Sequence, residues 1–310
     1  MAIIYVANAN EVTDGTAAQI LGMLQTEIPV VLVTRPDNFK FNEELNKLDK
    51  YILCDYEEMG WSYDWSRGTH IFGNNTYKFP DLYSGDEWRK FEDFVSLKEP
   101  LLYFKRELLE KDRSDYLHPI DYSAWYKTDP IQSKEDFDKR AISLFYFWGR
   151  SNERRLQIHS DIWEWAIRKG YSVCDNIYMY DKFVECEQGM KIVSIWMPHY
   201  HRIQMEYLLY KNGRSKLSLA PPGAGLKTFR LVESSINSTL VKQKDNLAYS
   251  YDWNETNCIL YEESKELETI FAALENPNLY EIYKESVANC QRYEVNGYLN
   301  NYVGPIINKL

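Results

Sequence analysis

The feature that most constrains the fold is an alternation of apolar, strand-length runs with helical segments, which the chain begins twice. The first series comprises Ala2 to Ala7, Pro29 to Thr34 and Tyr51 to Cys54, with polar or helical stretches between them. The second series starts with the apolar run Ile142 to Trp148, which is followed by a helical pattern from 156 to 169. Such alternation predicts βαβ units around parallel sheets. We therefore predict an α/β fold with two Rossmann-like βαβ domains that face each other across a cleft.

The length and a change in composition suggest where the two domains divide. A chain of 310 residues is long enough for two domains of ordinary size, each with its own core. From Asp112 to Arg140 the sequence turns polar and predicts an interdomain linker. We predict an N-terminal domain over 1–135, a C-terminal domain over 136–295, and a final helix over 296–310 that packs back on the first domain.

Charge and cysteine usage exclude several classes of protein. The formal net charge is −10, so no overall field attracts the chain to nucleic acid or anionic lipid. Between Arg202 and Arg230 the balance reverses, with Glu206 the single acid among six basic residues, which favours a site for a small anion. The five cysteines lack CxxC spacing and indicate neither a disulfide framework nor a zinc site. The absence of a long apolar run or a signal-like N-terminus predicts a cytoplasmic protein.

A glycine-containing turn in the second half is the strongest candidate for ligand binding. The stretch Lys216 to Leu240 predicts a short strand, a Pro-Pro-Gly-Ala-Gly turn and a helix that opens at Lys227. Gly223 and Gly225 accept positive φ and allow a ligand close to the backbone, while a helix N-terminus attracts anions. A structural turn is the alternative interpretation. A P-loop is excluded, because that motif requires glycine where Leu226 precedes the lysine.

Two further groups of the second half are candidates for the same ligand. Gly149 opens a basic turn that contains Arg150 and Arg155 and leads into the long helix. His199 and His201 follow another apolar run and could donate hydrogen bonds to a phosphate, base or sugar. As metal ligands these histidines would need acidic partners, which the neighbouring sequence does not supply. We therefore predict no metal site.

Carboxylates follow the third apolar run of the first half. In parallel sheets, ligands bind at the carboxyl ends of the strands, and Asp55 and Glu57 come at or just after that end. Either residue could serve as general base toward an acceptor hydroxyl. The alternative is a solvated loop end without a catalytic role.

The first half also carries candidates for binding an acceptor. Trp61 introduces the segment Ser62 to Asp86, which is aromatic and lacks periodicity, and long loops of this kind are often functional. Its Trp65 and His70 are predicted to contact the acceptor, with ordinary packing as the alternative. Lys105 and Arg106 close a later apolar run and are predicted to meet a phosphate, unless Glu107 simply pairs with them.

Three segments of the second half resemble the GT-B glycosyltransferases, and their arrangement is similar to exostosin-like and other nucleotide-sugar transferases. They are WGRSNERR (Trp148 to Arg155), PPGAGLKTFRLVESS (Pro221 to Ser235) and the tail from Glu262 to Val287. Many retaining members carry two glutamates eight residues apart in the second segment. This chain has Glu233 at the first of these positions and Val241 at the second. The stereochemical outcome therefore stays open.

The resemblance implies roles for residues in these segments. Lys227, Arg230 and Arg150 would meet the diphosphate of a nucleotide sugar, and Glu233 would bond the ribose or the sugar. The implied activity is metal-independent transfer of a hexose or pentose, without a cofactor, from a UDP- or GDP-linked donor. The implied acceptor is a glycan or a hydroxylated nucleobase. An epimerase-like enzyme and a non-catalytic glycan- or nucleotide-binding module are the alternatives.

Overall fold

The structure, a computed structural model, divides into two compact units. It describes residues 2–6, 30–33, 50–55, 69–72, 75–78, 100–124, 127–149, 153–175, 192–197, 213–222 and 227–310. Unit 1 comprises Met1–Trp125, Asn246–Asp252 and Val295–Leu310, and unit 2 comprises Tyr126–Asp245 and Trp253–Glu294. Residues 246–252 and 295–310 thus group with unit 1, and the domain boundaries predicted from the sequence stay a prediction.

Unit 1 is built on a parallel sheet. Its described strands are β1 (Ala2–Val6), β2 (Val30–Val33), β3 (Tyr51–Asp55), β6 (Leu102–Lys105) and β7 (Leu117–Pro119), with β4 (Thr69–Phe72) and β5 (Asn75–Lys78) as a separate antiparallel pair. The strand order is β2-β1-β3-β6-β7, and each neighbouring pair is parallel. The chain therefore continues to one side of β1 with β2 and to the other side with β3.

Two elements of unit 1 correct the sequence analysis. The segment predicted as a linker contains β7, which pairs with β6 and buries Leu117 and Pro119. The segment predicted as an aperiodic loop contains the β4–β5 hairpin. Both were missed because strands of three or four residues are too short to show alternation against polar neighbours.

Unit 2 contains a six-stranded parallel sheet. Its strands are β8 (Ile142–Gly149), β9 (Val173–Asp175), β10 (Ile192–Met197), β11 (Ser215–Ala220), β12 (Thr239–Gln243) and β13 (Ile259–Tyr261). Its helices are α1 (Lys134–Asp138), α2 (Glu153–Arg168), α3 (Phe229–Ser235), α4 (Glu266–Leu274) and α5 (Leu279–Gln291). The strand order is β13-β12-β11-β8-β10-β9. The parallel α/β fold predicted from the alternation is confirmed.

The core of unit 2 forms where helix α2 faces the sheet. Leu217 and Leu219 of β11 alternate with residues on the opposite face and are buried. On α2, Ile158, Ile162 and Ala166 recur every four residues and form the apolar stripe that packs in the same cluster. Because α2 directly follows β8, this packing fixes the start of α2 at the carboxyl end of the sheet.

Strand β12 lies inside the sheet, between β11 and β13, but the sequence did not predict it. Its polar residues are buried: Lys242 Nζ pairs with Asp245 Oδ2 at 2.7 Å, and both side chains are almost fully covered. After β12, Leu247 forms an isolated antiparallel bridge with Leu109. A buried ion pair of this kind makes an interior strand look like a surface segment.

At the amino end of the same sheet, Arg140 joins several elements. Its Nη1 donates to the carbonyl oxygens of Ser215 (2.5 Å) and Asn237 (2.7 Å), which lie at the start of β11 and just before β12. Its Nε and Nη2 donate to Gln132 Oε1 at 3.2 and 2.9 Å. These bonds connect the segment before β8 with the start of β11 and with the residues before β12, so Arg140 holds these elements together.

The C-terminal helices belong to unit 1. Helix α6 (Val295–Tyr298) continues through a π-helical turn (Leu299–Val303) into α7 (Gly304–Ile307). The Tyr298 hydroxyl accepts a hydrogen bond from the Asp121 amide at 3.0 Å, and it lies 2.7 Å from Ser250 Oγ. These bonds join three separate parts of the sequence just beyond β7.

Candidate functional site

The carboxyl end of the unit 2 sheet is the candidate site, at the point where the strand order changes direction. After β8 the chain continues toward β9 and β10 on one side, whereas after β11 it continues toward β12 and β13 on the other. Ligands of doubly wound sheets bind outside such a switch point. The two turns predicted from the sequence, after Gly149 and after Ala220, follow these two neighbouring strands.

Arg155, near the start of α2, connects the two turns. Its Nε donates to the Pro222 carbonyl oxygen at 2.9 Å and its Nη2 to that of Pro221 at 3.4 Å. Burial, with a smaller contribution from the charge of Arg230, lowers the pKa of Arg155 to about 10. The guanidinium therefore still carries its charge at neutral pH, and it lies close to a second guanidinium.

Arg230 and Glu233 pair within helix α3. Arg230 Nη1 and Glu233 Oε2 form an ion pair three residues apart on the same helix, and both side chains are mostly covered. Burial lowers the pKa of Arg230, and the Glu233 carboxylate opposes that change. The two residues are thus brought together, while the sugar contact predicted for Glu233 stays a prediction.

Helix α3 begins later than the sequence suggested. It starts at Phe229, with Thr228 as the N-cap residue in extended conformation, rather than opening at Lys227. Lys227 is 1% exposed and Thr228 is also buried. Both residues therefore lie between strand and helix, beside the switch point, and Lys227 adds a buried cation there.

The fold brings to this end of the sheet several charged and polar residues that the sequence did not predict there. Lys242 is paired in register with Ala220, the last residue of β11, and could not be found without predicting β12. Arg154 pairs with Glu266 at the start of α4. Tyr261 ends β13, and burial raises its pKa while the charges of the two α2 arginines oppose that rise. Only the basic run at the start of α2 signalled any of these contacts.

In unit 1, the predicted catalytic and acceptor residues lie on different strands. Asp55 is the last residue of β3 and is in register with Val6 of β1 and Lys105 of β6. It thus lies at the carboxyl end of that sheet, next to its switch point between β1 and β3. His70 lies on β4, in register with Tyr77.

Lys105 and Arg106 are buried within unit 1. Arg106 is fully buried, donates from Nη1 to the Tyr122 hydroxyl and lies 5.4 Å from the centre of that ring. Lys105 is 1% exposed. Arg106 therefore contributes to packing, and contact of either residue with an acceptor stays a prediction.

The remaining predicted site residues lie outside the residues that the structure describes. They are Glu57, Trp61, Trp65, Arg150, His199, His201, Gly223 and Gly225. Of Gly149 the structure describes the backbone, which is paired with Met197 at the end of β8. Among the described residues, no group of three His, Cys, Asp or Glu could hold a metal ion. None of the described helices has the length and apolar character needed to span a bilayer.

Comparison with solved structures identifies the fold. HepE from Anabaena, solved in complex with UDP, is similar over 100% of both chains, with a TM-score of 0.55 and 13% identity. A glycosyltransferase from Rickettsia africae is similar over 98% of this chain and 97% of its own (TM-score 0.49, 10% identity). MurG from Acinetobacter baumannii is similar over 98% and 100% (TM-score 0.46, 9% identity). No protein-family model and no curated protein matches the sequence.

These likenesses concern the fold. The structural neighbours are GT-B fold proteins, and the likeness to HepE gives this chain the same fold. The resemblance to GT-B proteins inferred from the three segments is therefore confirmed at that level. The exostosin-like arrangement stays a prediction.

Proposed function

We propose that this protein is a glycosyltransferase that moves a sugar from a nucleoside-diphosphate donor to an acceptor hydroxyl. The observation that carries the proposal is the group of cations around the switch point of unit 2, of which Arg155 and Lys227 are buried and Arg230 is mostly covered. Positive charge at that position suits a diphosphate. The GT-B fold supports the proposal, as does the likeness to HepE, which was solved in complex with UDP.

The proposed chemistry depends on stabilising the departing diphosphate. Negative charge develops on the leaving group, and preorganised cations in a covered site stabilise it without reorganisation. We assign this role to Lys227 and Arg230, together with Arg150, and propose that no metal ion is needed. We propose UDP-linked sugars as the first donors to test, because HepE was solved with UDP.

The acceptor side is assigned to unit 1. Asp55 lies at the carboxyl end of β3, the position from which parallel sheets present catalytic groups. We propose that Asp55 or Glu57 deprotonates the acceptor hydroxyl if the reaction inverts the anomeric carbon. Trp61, Trp65 and His70 are proposed to contact the acceptor.

The direct test is a nucleotide-release assay. Purified protein is incubated with UDP-, GDP- and ADP-linked sugars, with and without a panel of acceptor saccharides, and released nucleoside diphosphate is measured. We expect release from one nucleotide class that increases with an acceptor and persists in EDTA. Thermal unfolding with UDP, GDP and ADP gives a second readout, because a bound nucleotide raises the melting temperature by mass action.

Other outcomes would replace the proposal. Conversion of a nucleotide sugar to an isomer without transfer would identify an epimerase-like enzyme. A rise in melting temperature without turnover of any donor would indicate a binding module. Release that EDTA abolishes and Mg²⁺ restores would refute metal independence while leaving the transferase assignment in place.

A further inference from the structure

Two hydrogen bonds of Arg155 reach the backbone just after β11. Their acceptors, the carbonyl oxygens of Pro221 and Pro222, directly follow β11 and precede Gly223. Proline has no backbone N–H, so this dipeptide offers acceptors but no donors. A covered carbonyl without a donor costs about 1–3 kcal/mol, and here a side chain from another element supplies the donors.

An arginine is suited to this task because its guanidinium is planar and its donors are fixed relative to one another. One guanidinium can therefore hold two successive carbonyls in a defined orientation, which the single ammonium of lysine cannot do. Arg155 is 7% exposed, so its position is also set by packing. The Arg155 guanidinium is therefore placed to orient the backbone of Pro221 and Pro222.

The neighbouring arginine holds the start of α2 from the other direction. Arg154 pairs with Glu266 of α4, which is itself buried, and the Ser264 amide donates to the same Oε1 at 3.3 Å. Successive residues of α2 thus bind α4 and the segment after β11. This arrangement makes the first turn of α2 a fixed support for the backbone at the switch point.

We propose that Arg155 is a positioning residue, which sets the backbone of Pro221 and Pro222 at the exit of β11 so that this end of the sheet is ready to receive the donor diphosphate. The inference rests on the proposed function and deepens it. In this inference Arg155 affects nucleotide binding by orienting the backbone of Pro221 and Pro222. The sequence had predicted that Arg155 contacts the nucleotide sugar directly. The charge of Arg155 is then less important than its fork of donors.

The first experiment measures the turn in the protein without nucleotide. Amide hydrogen exchange of peptides covering 227–235 is compared among wild type, Arg155→Gln, Arg155→Lys and the control Arg168→Gln. Arg168 lies at the other end of α2, is exposed, and donates from Nε to the Glu164 carbonyl of its own helix at 3.3 Å. We expect these peptides to exchange faster in both Arg155 variants than in wild type. In the control Arg168→Gln we expect the same exchange rates as in wild type. Unchanged exchange in Arg155→Gln would overturn the inference.

The second experiment measures UDP affinity of the same four proteins by calorimetry. Both Arg155 variants should bind about tenfold to a hundredfold more weakly, since a small misplacement of the binding backbone has effects of that size. Because lysine keeps the charge and loses the fork, Arg155→Lys should not rescue binding. Wild-type affinity in Arg155→Lys, with a loss only in Arg155→Gln, would show a direct phosphate contact and overturn the inference.

The two experiments separate this inference from the proposed function. If the wild type binds UDP but exchange is unchanged in the Arg155 variants, the inference fails alone. If the wild type binds none of UDP, GDP or ADP, the proposed function fails. The part of the inference that concerns the diphosphate then fails with it. Exchange would then still decide whether Arg155 holds the turn.

Discussion

The two ends of the unit 2 sheet each hold a buried arginine, and the two differ in what surrounds them. At the amino end, Arg140 lies 4.9 Å from the ring centre of Phe137 and 4.5 Å from that of Tyr283, and its other contacts are carbonyl oxygens and one amide oxygen. At the carboxyl end, burial lowers the pKa of Arg155, and the charge of the neighbouring Arg230 lowers it further. Like charges in a covered place cost stability, so their presence indicates function more than folding.

The charged residues at the carboxyl end make the difference plain. The described cations near that end of the sheet are Arg154, Arg155, Lys227, Arg230 and Lys242, and the carboxylates that pair with them are Glu233, Asp245 and Glu266. Positive charge gathered at this end suits an anionic ligand, whereas at the amino end the charge of Arg140 lies among carbonyl and amide oxygens and two aromatic rings.

The largest expected effect on folding concerns Arg140. Replacing it in Arg140→Met keeps the bulk and leaves the carbonyls of Ser215 and Asn237 without this donor, so we expect a loss of about 3 kcal/mol in the free energy of unfolding. Urea unfolding measures the change, with Arg168→Met as the exposed control, expected within about 0.5 kcal/mol of wild type. Equal stability of Arg140→Met and Arg168→Met would show that Arg140 does not stabilise the amino end of the sheet.

The next effect concerns Lys227 and appears in binding rather than in folding. Lys227→Met keeps an unbranched side chain of similar length, and we expect donor affinity to fall by about 2–5 kcal/mol if the ammonium pairs with a covered phosphate. Calorimetry with the nucleotide identified by the release assay measures this change. Arg140→Met serves as the reciprocal control, since it should bind that nucleotide as wild type does. Unchanged affinity in Lys227→Met would remove Lys227 from the site.

The sequence revealed the sheets better than the site, for physical reasons. Strands such as β8 consist of apolar residues covered on both faces, so they stand out as continuous runs. Strand β12 did not, because Lys242 is neutralised by Asp245 only after folding. The pairing of Arg230 with Glu233 was readable from their spacing on a helix. That Arg155 donates to Pro221 and Pro222 was not, because the contact joins residues 66 and 67 positions apart.

The smallest expected effect is a dependence of the free energy of unfolding on pH. It involves Cys258, which directly precedes β13 at the amino end of the sheet. Burial raises the pKa of Cys258 from 9.0 to about 12, and burial also raises that of Cys290 to about 12. Above about pH 9 the unfolded thiols lose protons that the folded protein retains. The free energy of unfolding should therefore fall as pH rises from 9 toward 12, by at most about 1.4 kcal/mol per pH unit for each thiol.

Urea unfolding between pH 8 and pH 10 tests this expectation. Cys258→Ala should decrease the slope, because one of the two thiols no longer titrates. A stability that stays level over this range in the wild type would contradict the burial of both thiols. Since Cys258 precedes β13, at the amino end of the sheet, we expect nucleotide affinity to be the same in Cys258→Ala and wild type.

Because Tyr298 bonds with Asp121 and lies beside Ser250, unit 1 is complete only after residue 298 has been synthesised. Unit 1 draws on the first 125 residues, on 246–252 and on 295–310, with all of unit 2 made in between. On the ribosome, unit 1 must therefore wait with part of its surface uncovered until the last of these segments emerges, whereas unit 2 can complete its sheet earlier. Chaperone demand during translation should accordingly fall on the half of the protein that is made first.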